Sequence, residues 1–519
     1  MRATLGPAGD GMAEDYPKRW RALIAISILC FVVFVDFTVV NTILPGIQRD
    51  LHASVDQLQW VMNAFFLMLT VFMVTMGRLG DIYGRRRALY RGVIVFALAS
   101  LLAGTAESPQ FLIACRFAQG VAGAVLLTCS VGLVNHHFPA AEQGRALAMF
   151  MSITGFGMAL GPVIGGLLMS ALSWRWAFYV NVPVVAVGFL IAWRSVLETP
   201  RQGDEKVDWL GLAVLLPGMG ALVTAIMKGN NWGWAAPATL ITAGAAVVLL
   251  AIFVAIERRA RFPIVRFELF RHPDFLACTV VALTLGGFIA IGSFLAPLYL
   301  QTVRNEAPYI AGTMLLPISG LVVIVPPLIG KWVDRHGPLP FLAAGQAFLA
   351  LAALVQIFFE PASALWLVLL GLGLFGFGWG LQQATAALAA TSAFAPAQAS
   401  LIIGVVYSIW NFGSSVGLAV GGLILETLDR RTLNQSLARE NIDLAAKDQD
   451  LVRSLLSDPS QAHQILAELT PGLEAEVLPI FRDSFMAGYR GAMWYLLVIC
   501  ALGAVLVPLI ARTRRAPRR

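Results

Sequence analysis

Gly77-Arg-Leu-Gly-Asp81-Ile-Tyr-Gly84-Arg85-Arg86-Arg87 is the stretch on which the fold turns. It lies between two long apolar runs. A looser copy, Gly330-Lys-Trp-Val-Asp334-Arg335-His-Gly337, lies between two others. Glycine, aspartate and glycine recur at the same offsets, 253 residues apart. A fixed offset of this kind marks a chain made of two similar halves. Glycines let such a turn pass close under neighbouring helices. The aspartate can pair with arginines or face a helix N-terminus. A turn locked in this way would favour one state of the two halves and open when they rock.

Outward from this loop the chain is apolar. Of 519 residues, 58% are hydrophobic and 13% charged, with mean hydropathy +0.75. A soluble domain carries about a quarter charged residues, so most of this surface faces lipid. A spanning helix takes about 20 apolar residues, and fourteen such runs can be placed. Six lie in residues 1–200, two inserted helices (7 and 8) in 201–272, and six in 273–519. Helix 1 is expected from Trp20 to Leu44, helix 13 from Ser400 to Leu425 and helix 14 from Met486 to Ala511. The expected fold is an all-α membrane protein of two six-helix bundles plus two inserted helices.

Orientation follows from charge. With the N-terminus inside, 25 of the 37 Lys and Arg fall in cytoplasmic segments, as the orientation rule requires. The basic tail from Arg512 lands inside only if the number of spans is even, so both termini are expected in the cytoplasm. The polar segment at about 427–485 then lies outside and reads as two or so short amphipathic helices, either a solvated cap or a docking surface. The formal charge of +7 does not indicate nucleic acid, because the basic residues sit in short loops. The five cysteines all lie in apolar segments and read as small core hydrophobes. The first apolar run is too long for the core of a signal peptide. The six histidines accompany no metal-binding or nucleophile motif, so neither a metal site nor an enzyme is expected.

Several motifs now point to one family. Gly77 to Arg87 resembles the loop 2–3 signature of the major facilitator superfamily. Phe34-Val-Asp36-Phe-Thr38-Val-Val-Asn41-Thr-Ile-Leu-Pro45 is similar to the helix-1 signature of its fourteen-span drug:proton antiporters, the EmrB/QacA type. Gln57-Leu-Gln-Trp60 and Trp174-Arg-Trp-Ala-Phe-Tyr-Val-Asn181-Val-Pro183 resemble the same branch. The likeness is specific from helix 1 to helix 6; the second half matches by span count and the degenerate repeat. It implies a proton-coupled exporter of hydrophobic or amphipathic compounds in the bacterial inner membrane. Such a protein uses no cofactor beyond the proton gradient. Relatives in double-membrane bacteria can dock a periplasmic adaptor and an outer-membrane channel.

Asp36 and Arg116 are the deep charges. A carboxylate that far into helix 1 must face a cavity, take up a proton, or be satisfied by Thr38, Asn41 or a facing helix. Arg116 opens Arg116-Phe-Ala-Gln119-Gly120, which resembles the family's helix-4 motif. It either biases a carboxylate or snorkels to the interface. The resemblance assigns Asp36, Asn41, Arg116 and Gln119 to proton coupling and substrate. It assigns Gly77, Asp81, Gly84, Arg85, Arg86, Asp334 and Arg335 to cytoplasmic gating. Gly157, Gly161, Pro162, Gly165 and Gly166 match the antiporter motif of helix 5, whose small residues also allow close packing. Gln382, Gln383, Tyr407, Trp410 and Asn411 are candidates to line a cavity. The five second-half spans before Glu426 carry no acid, which favours monocations, neutral amphipaths or weak acids over dications. Export or uptake of one metabolite or siderophore, and a non-transporting sensor, stay open as alternatives.

Overall fold

The computed structural model describes residues 16–200, 207–260, 263–265, 267–391, 399–440, 442, 449 and 474–513. Among these residues, 14 helices are long and apolar enough to cross a membrane. In the first half they are α1 Arg19–Leu51, α2 Val55–Tyr83, α3 Arg85–Gly104, α4 Pro109–His137, α5 Ala140–Ala171 and α6 Trp176–Ser195. The insertion is α7 Trp209–Trp232 and α8 Pro237–Glu257. α9 covers Pro273–Leu298 and ends in a π turn, Tyr299–Val303. α10 has two pieces, Pro308–Met314 and Leu316–His336. α11 Leu339–Ile357, α12 Leu365–Thr391, α13 Ala399–Arg439 and α14 Glu474–Thr513 follow.

Helix starts carry the expected chemistry. Ser54 and Gln57 form a capping box at α2: the Gln57 N–H donates to Ser54 Oγ at 3.3 Å, and the Ser54 N–H to Gln57 Oε1 at 2.9 Å. Proline opens α4, α8, α9 and α10, where its missing N–H costs nothing. Burial then sorts the helices. Within their most apolar windows α1, α2 and α9 are 78% buried, whereas α8 is 17% and α14 28% buried. The first three form the centre, and the last two present apolar side chains to lipid.

The two halves repeat the same packing. α1 lies along α5 as α9 lies along α13, and α2 along α4 as α10 along α12. Both halves achieve this with glycine. A Cβ on Gly157 of α5 would lie 2.8 Å from the Phe31 carbonyl of α1, and one on Gly165 3.0 Å from the Val39 carbonyl. Gly161 rests on the Thr38 hydroxyl. In the second half Gly287 of α9 faces Gly417 of α13, Gly286 lies against the Trp410 carbonyl and Ser414, and Gly413 against Leu283, in the same manner. A Cβ on Gly120 of α4 would lie 2.7 Å from the Phe65 carbonyl of α2, and one on Gly376 of α12 2.5 Å from the Pro317 carbonyl of α10. Lipid supplies no hydrophobic drive between helices, so close backbone approach carries the association. All five cysteines are buried and unpaired. Cys30 Sγ, for one, contacts Ser130 Oγ at 3.0 Å. The insertion packs α7 on α8 and sets α7 against α2 and α13, where Lys228 pairs with Asp56 at 2.5 Å.

The expected span ends need correction around the polar segment. α13 does not stop at Leu425 but continues to Arg439, and α14 starts at Glu474 rather than Met486. The flanks of the segment at 427–485 are thus extensions of spanning helices, not separate short ones. Leu433, Leu437, Val477 and Phe481 are buried, and Glu426 pairs with Arg430 one turn on at 3.1 Å. Hydropathy marks where a helix leaves lipid, not where its hydrogen bonding ends. Apart from 442 and 449, residues 441–473 lie outside the described residues.

Gly161→Leu will force α1 from α5 and cost about 1–3 kcal/mol or more by overpacking. The thermal unfolding midpoint of the purified protein should fall. Gly220→Leu in α7, where a Cβ would meet nothing within 4 Å, should leave it within a degree or two, on the order of a surface change.

Candidate functional site

Asp36 and Arg116 are fully buried, at 0% and 1% exposure, and are bonded to each other through Oδ2 and Nη1. Arg116 also donates from Nη1 to Gln119 Oε1 at 2.9 Å and from Nε to the Val61 carbonyl at 3.2 Å. Its guanidinium lies 4.4 Å over the Phe65 ring. Asp36 Oδ1 accepts from Asn181 Nδ2 at 3.0 Å and from Gln119 Nε2 at 3.3 Å. Ser100 Oγ accepts from Gln119 Nε2 at 2.9 Å and Asn181 Nδ2 at 3.5 Å. One network therefore ties α1, α3, α4 and α6, with α2 held by its backbone.

The alternatives raised by the sequence resolve here. Asp36 is satisfied by facing helices. Thr38 bonds back to the Phe34 carbonyl at 3.1 Å. Asn41 donates to the Phe37 carbonyl at 3.4 Å, and its Oδ1 is buried without a partner. Asn41 thus stays outside the cluster. Arg116 does not snorkel; it points inward to the carboxylate. Asn181 and Ser100 are members that the sequence did not single out. Asn181 stood inside the Trp174–Pro183 motif, and that was its signal. A lone serine in an apolar helix offers none.

The second half holds a neutral counterpart on the corresponding helices. Gln346 of α11 donates to Thr284 Oγ1 of α9 at 2.7 Å and to Gln382 Oε1 of α12 at 3.2 Å, beside Gly503 of α14. Gln383 accepts from Trp379 Nε1 at 3.2 Å. Both glutamines bond within their own half. Trp410 instead reaches across and stacks on Phe37 of α1, with ring centroids 6.0 Å apart and planes at 29°. Tyr407 meets Trp410 edge-on at 5.8 Å. Trp410 Nε1 and Asn411 Oδ1, like Asn41 Oδ1, are buried polar atoms without a partner among the described residues.

Contacts between the halves gather toward the end of the bundle that carries Leu51, Val55 and Pro308. Gln301 donates to the Thr42 carbonyl at 2.8 Å, and Asn63 to the Ser415 carbonyl at 3.1 Å. The Tyr309 N–H donates to Ser170 Oγ at 3.2 Å. The antiporter motif divides its work here. Gly157, Gly161 and Gly165 face α1, whereas Pro162 and Gly166 face α10, where a Cβ on Gly166 would lie 3.0 Å from Tyr309 Cα.

At the opposite end, the loop that opened the sequence reading is held together within the first half. Asp81 pairs with Arg85 at 2.5 Å. Gly84 takes φ +100°, a conformation glycine adopts without strain. Glu198, unnoticed in the sequence, accepts from the backbone N–H groups of Arg86 at 2.8 Å and Arg87 at 3.2 Å. It thereby satisfies the orphan donors and the dipole at the start of α3. The Arg85 guanidinium lies where any Cβ on Gly132 would sit, and Arg86 donates to Tyr90 Oη at 3.0 Å. Arg78 donates to the Pro263 carbonyl and so ties the loop to the insertion. Gly337 repeats Gly84, with φ +77° and an N–H to the carbonyl four residues back at 2.8 Å, against 2.9 Å at Gly84. Arg335 is exposed; the Asp334 side chain lies outside the described residues.

The sequence profile of the Major Facilitator Superfamily matches residues 26–418. The chain belongs to this superfamily. It is 33% identical over 501 residues to the multidrug resistance protein Stp of Mycobacterium tuberculosis (strain CDC 1551 / Oshkosh), covering 96% of this chain and 92% of that protein. It is 30% identical over 512 residues to the tetracenomycin C resistance and export protein of Streptomyces glaucescens, covering 97% and 93%. Among solved structures it resembles a bacterial homologue of the human lysosomal transporter Spinster in an inward-facing, unoccupied conformation. There the TM-score is 0.65 at 16% identity, over 96% of this chain and 98% of that one. This facilitator is a multi-pass membrane transporter and not an enzyme.

Arg116→Ala will strand the Asp36 carboxylate in a water-poor interior and destabilise the facilitator by about 3–5 kcal/mol. Asp36→Leu combined with Arg116→Met should recover most of that loss, because two apolar groups then replace the pair. Thermal unfolding of the three variants in one detergent checks both statements.

Proposed function

We propose that this facilitator exports hydrophobic or amphipathic compounds in exchange for protons. The observation that carries the reading is the Asp36 cluster, an acid held by Arg116, Gln119 and Asn181 in the middle of the first bundle. The relatives support export rather than uptake: one is named for multidrug resistance, the other for tetracenomycin C resistance and export.

The charge distribution of the loops puts the Gly84 end in the cytoplasm. On that orientation the halves are joined at the outer end, the arrangement of an inward-facing state. Asp36 is then ionised against Arg116. A proton arriving from outside, in the opposite state, neutralises Asp36 and removes the charge that holds Arg116. α1 is freed from α4 and α6 and can move with α5, on which its glycine contacts ride. Return to the inward state restores the pair with Arg116 as the proton leaves. Substrate meets the seam where Phe37 and Trp410 stack, with Tyr407 beside them. The unpartnered polar atoms of Asn41, Trp410 and Asn411 offer it hydrogen bonds. The amides of the second bundle carry no charge, which suits monocations, neutral amphipaths and weak acids.

Asp36→Asn should preserve folding and abolish efflux driven by an imposed pH gradient in reconstituted vesicles. Undiminished proton-driven efflux in that variant would end the coupling role of Asp36. We propose further that the outer segment at about 427–485 docks a periplasmic adaptor leading to an outer-membrane channel. Replacing residues 441–473 by a short linker tests this in cells. Resistance should fall while transport in vesicles persists; unchanged resistance refutes docking.

A further inference from the structure

The inserted helices hold two acids that the Asp36 cluster does not use. Asp208 caps α7: its Oδ1 accepts from the Gly211 N–H at 2.8 Å. Glu257 ends α8 and is 3% exposed; its Oε2 accepts from the Val265 N–H at 3.0 Å. The other oxygen of each acid, Asp208 Oδ2 and Glu257 Oε1, is buried and meets no donor among the described residues. Both converge on Gly211, where a Cβ would lie 2.5 Å from the first and 3.0 Å from the second. The two oxygens therefore lie within 5.5 Å of each other, and neither meets a donor among the described residues. Carboxylate oxygens only accept, so a contact between them requires a proton on one of them. Without it, two anions would be pressed together in a buried site.

The surroundings give the pair a lever. Ile264, next to Val265, packs in an apolar cluster with Leu67, Met68, Val71 and Val74 of α2, Leu212 of α7 and Phe253 of α8. The carbonyl of Pro263 receives the Arg78 guanidinium from the gating loop. Among the described residues, the other charged groups next to Glu257 in the chain are Arg258 and Arg259, both exposed. We propose that Asp208 and Glu257 form a second proton-binding site, which in its protonated state clamps the α8–α9 linker, and through Pro263 the gating loop. Loss of the proton separates the two carboxylates, draws Glu257 from Val265 and loosens the hold on Arg78. Rising pH on the Gly84 side therefore frees the gating loop. This site acts independently of proton coupling at Asp36.

Two readouts on the full-length protein in lipid test the site. Infrared spectroscopy should find a neutral-carboxyl band that disappears as pH rises. Glu257→Gln and Asp208→Asn should each remove that titrating band, and Asp36→Asn should leave it. The second readout uses Tyr83→Cys, at an exposed position in the gating loop, since the five native cysteines are buried. Labelling there should rise several-fold from acidic to alkaline buffer. With Glu257→Gln added, whose amide still donates to Asp208, labelling should stay at its acidic level. A titrating band that survives both substitutions, or labelling that tracks pH alike with and without Glu257, overturns the proposal. Should Glu257→Gln fail to fold, Asp208→Asn carries the same two readouts.

Discussion

A buried ion pair governs the first bundle. Asp36 and Arg116 are both buried, so each charge is held in place chiefly by the other. Gln119 and Asn181 donate to Asp36, Gln119 and the Val61 carbonyl accept from Arg116, and Ser100 accepts from both amides. Satisfying one carboxylate thus fixes the mutual positions of four helices and presses a fifth against them. The same economy makes the bundle responsive. A single proton on Asp36 alters the electrostatic reason for which α1, α4 and α6 sit as they do.

Glycine does the complementary work. In lipid, helices gain little by hiding apolar side chains from one another, and contact must come from backbone approach. The α1–α5 and α9–α13 pairs are built this way, with Gly157, Gly161 and Gly165 on one side of the repeat and Gly286, Gly287, Gly413 and Gly417 on the other. Such surfaces are smooth, so paired helices move as a unit. α5 also turns Pro162 and Gly166 to α10. The helix that carries α1 is therefore the one that meets the second half.

Much of this was legible in the chain. Fourteen apolar runs, the Gly84 and Gly337 repeat and the two deep charges could be read directly, because length, spacing and charge are properties of sequence. Which helices face one another is not such a property. Asp36 could be recognised as costly, but its partners on α4 and α6 emerge only when those helices are packed. Glu198 looked like any charged residue after a helix until the start of α3 was placed beside it. Gln382 and Gln383 were equally good candidates to face the seam or their own bundle, and they bond within their bundle. The ends of α13 and α14 were missed because apolar length reports the bilayer, whereas helical hydrogen bonding runs on into water.

The neutral trio of Thr284, Gln346 and Gln382 occupies helices equivalent to those of the charged cluster. Under the exchange proposed for Asp36, this lopsidedness sets the work available per cycle. One proton crossing 100 mV delivers about 2.3 kcal/mol, and about 1.4 kcal/mol corresponds to a tenfold ratio. A neutral cargo could then be concentrated roughly fortyfold by voltage alone. A monovalent cation leaving as the proton enters moves no net charge, so voltage contributes nothing and only the pH difference drives it. The valence of the cargo, rather than its fit to the seam, would then decide which component of the proton-motive force the pump draws on.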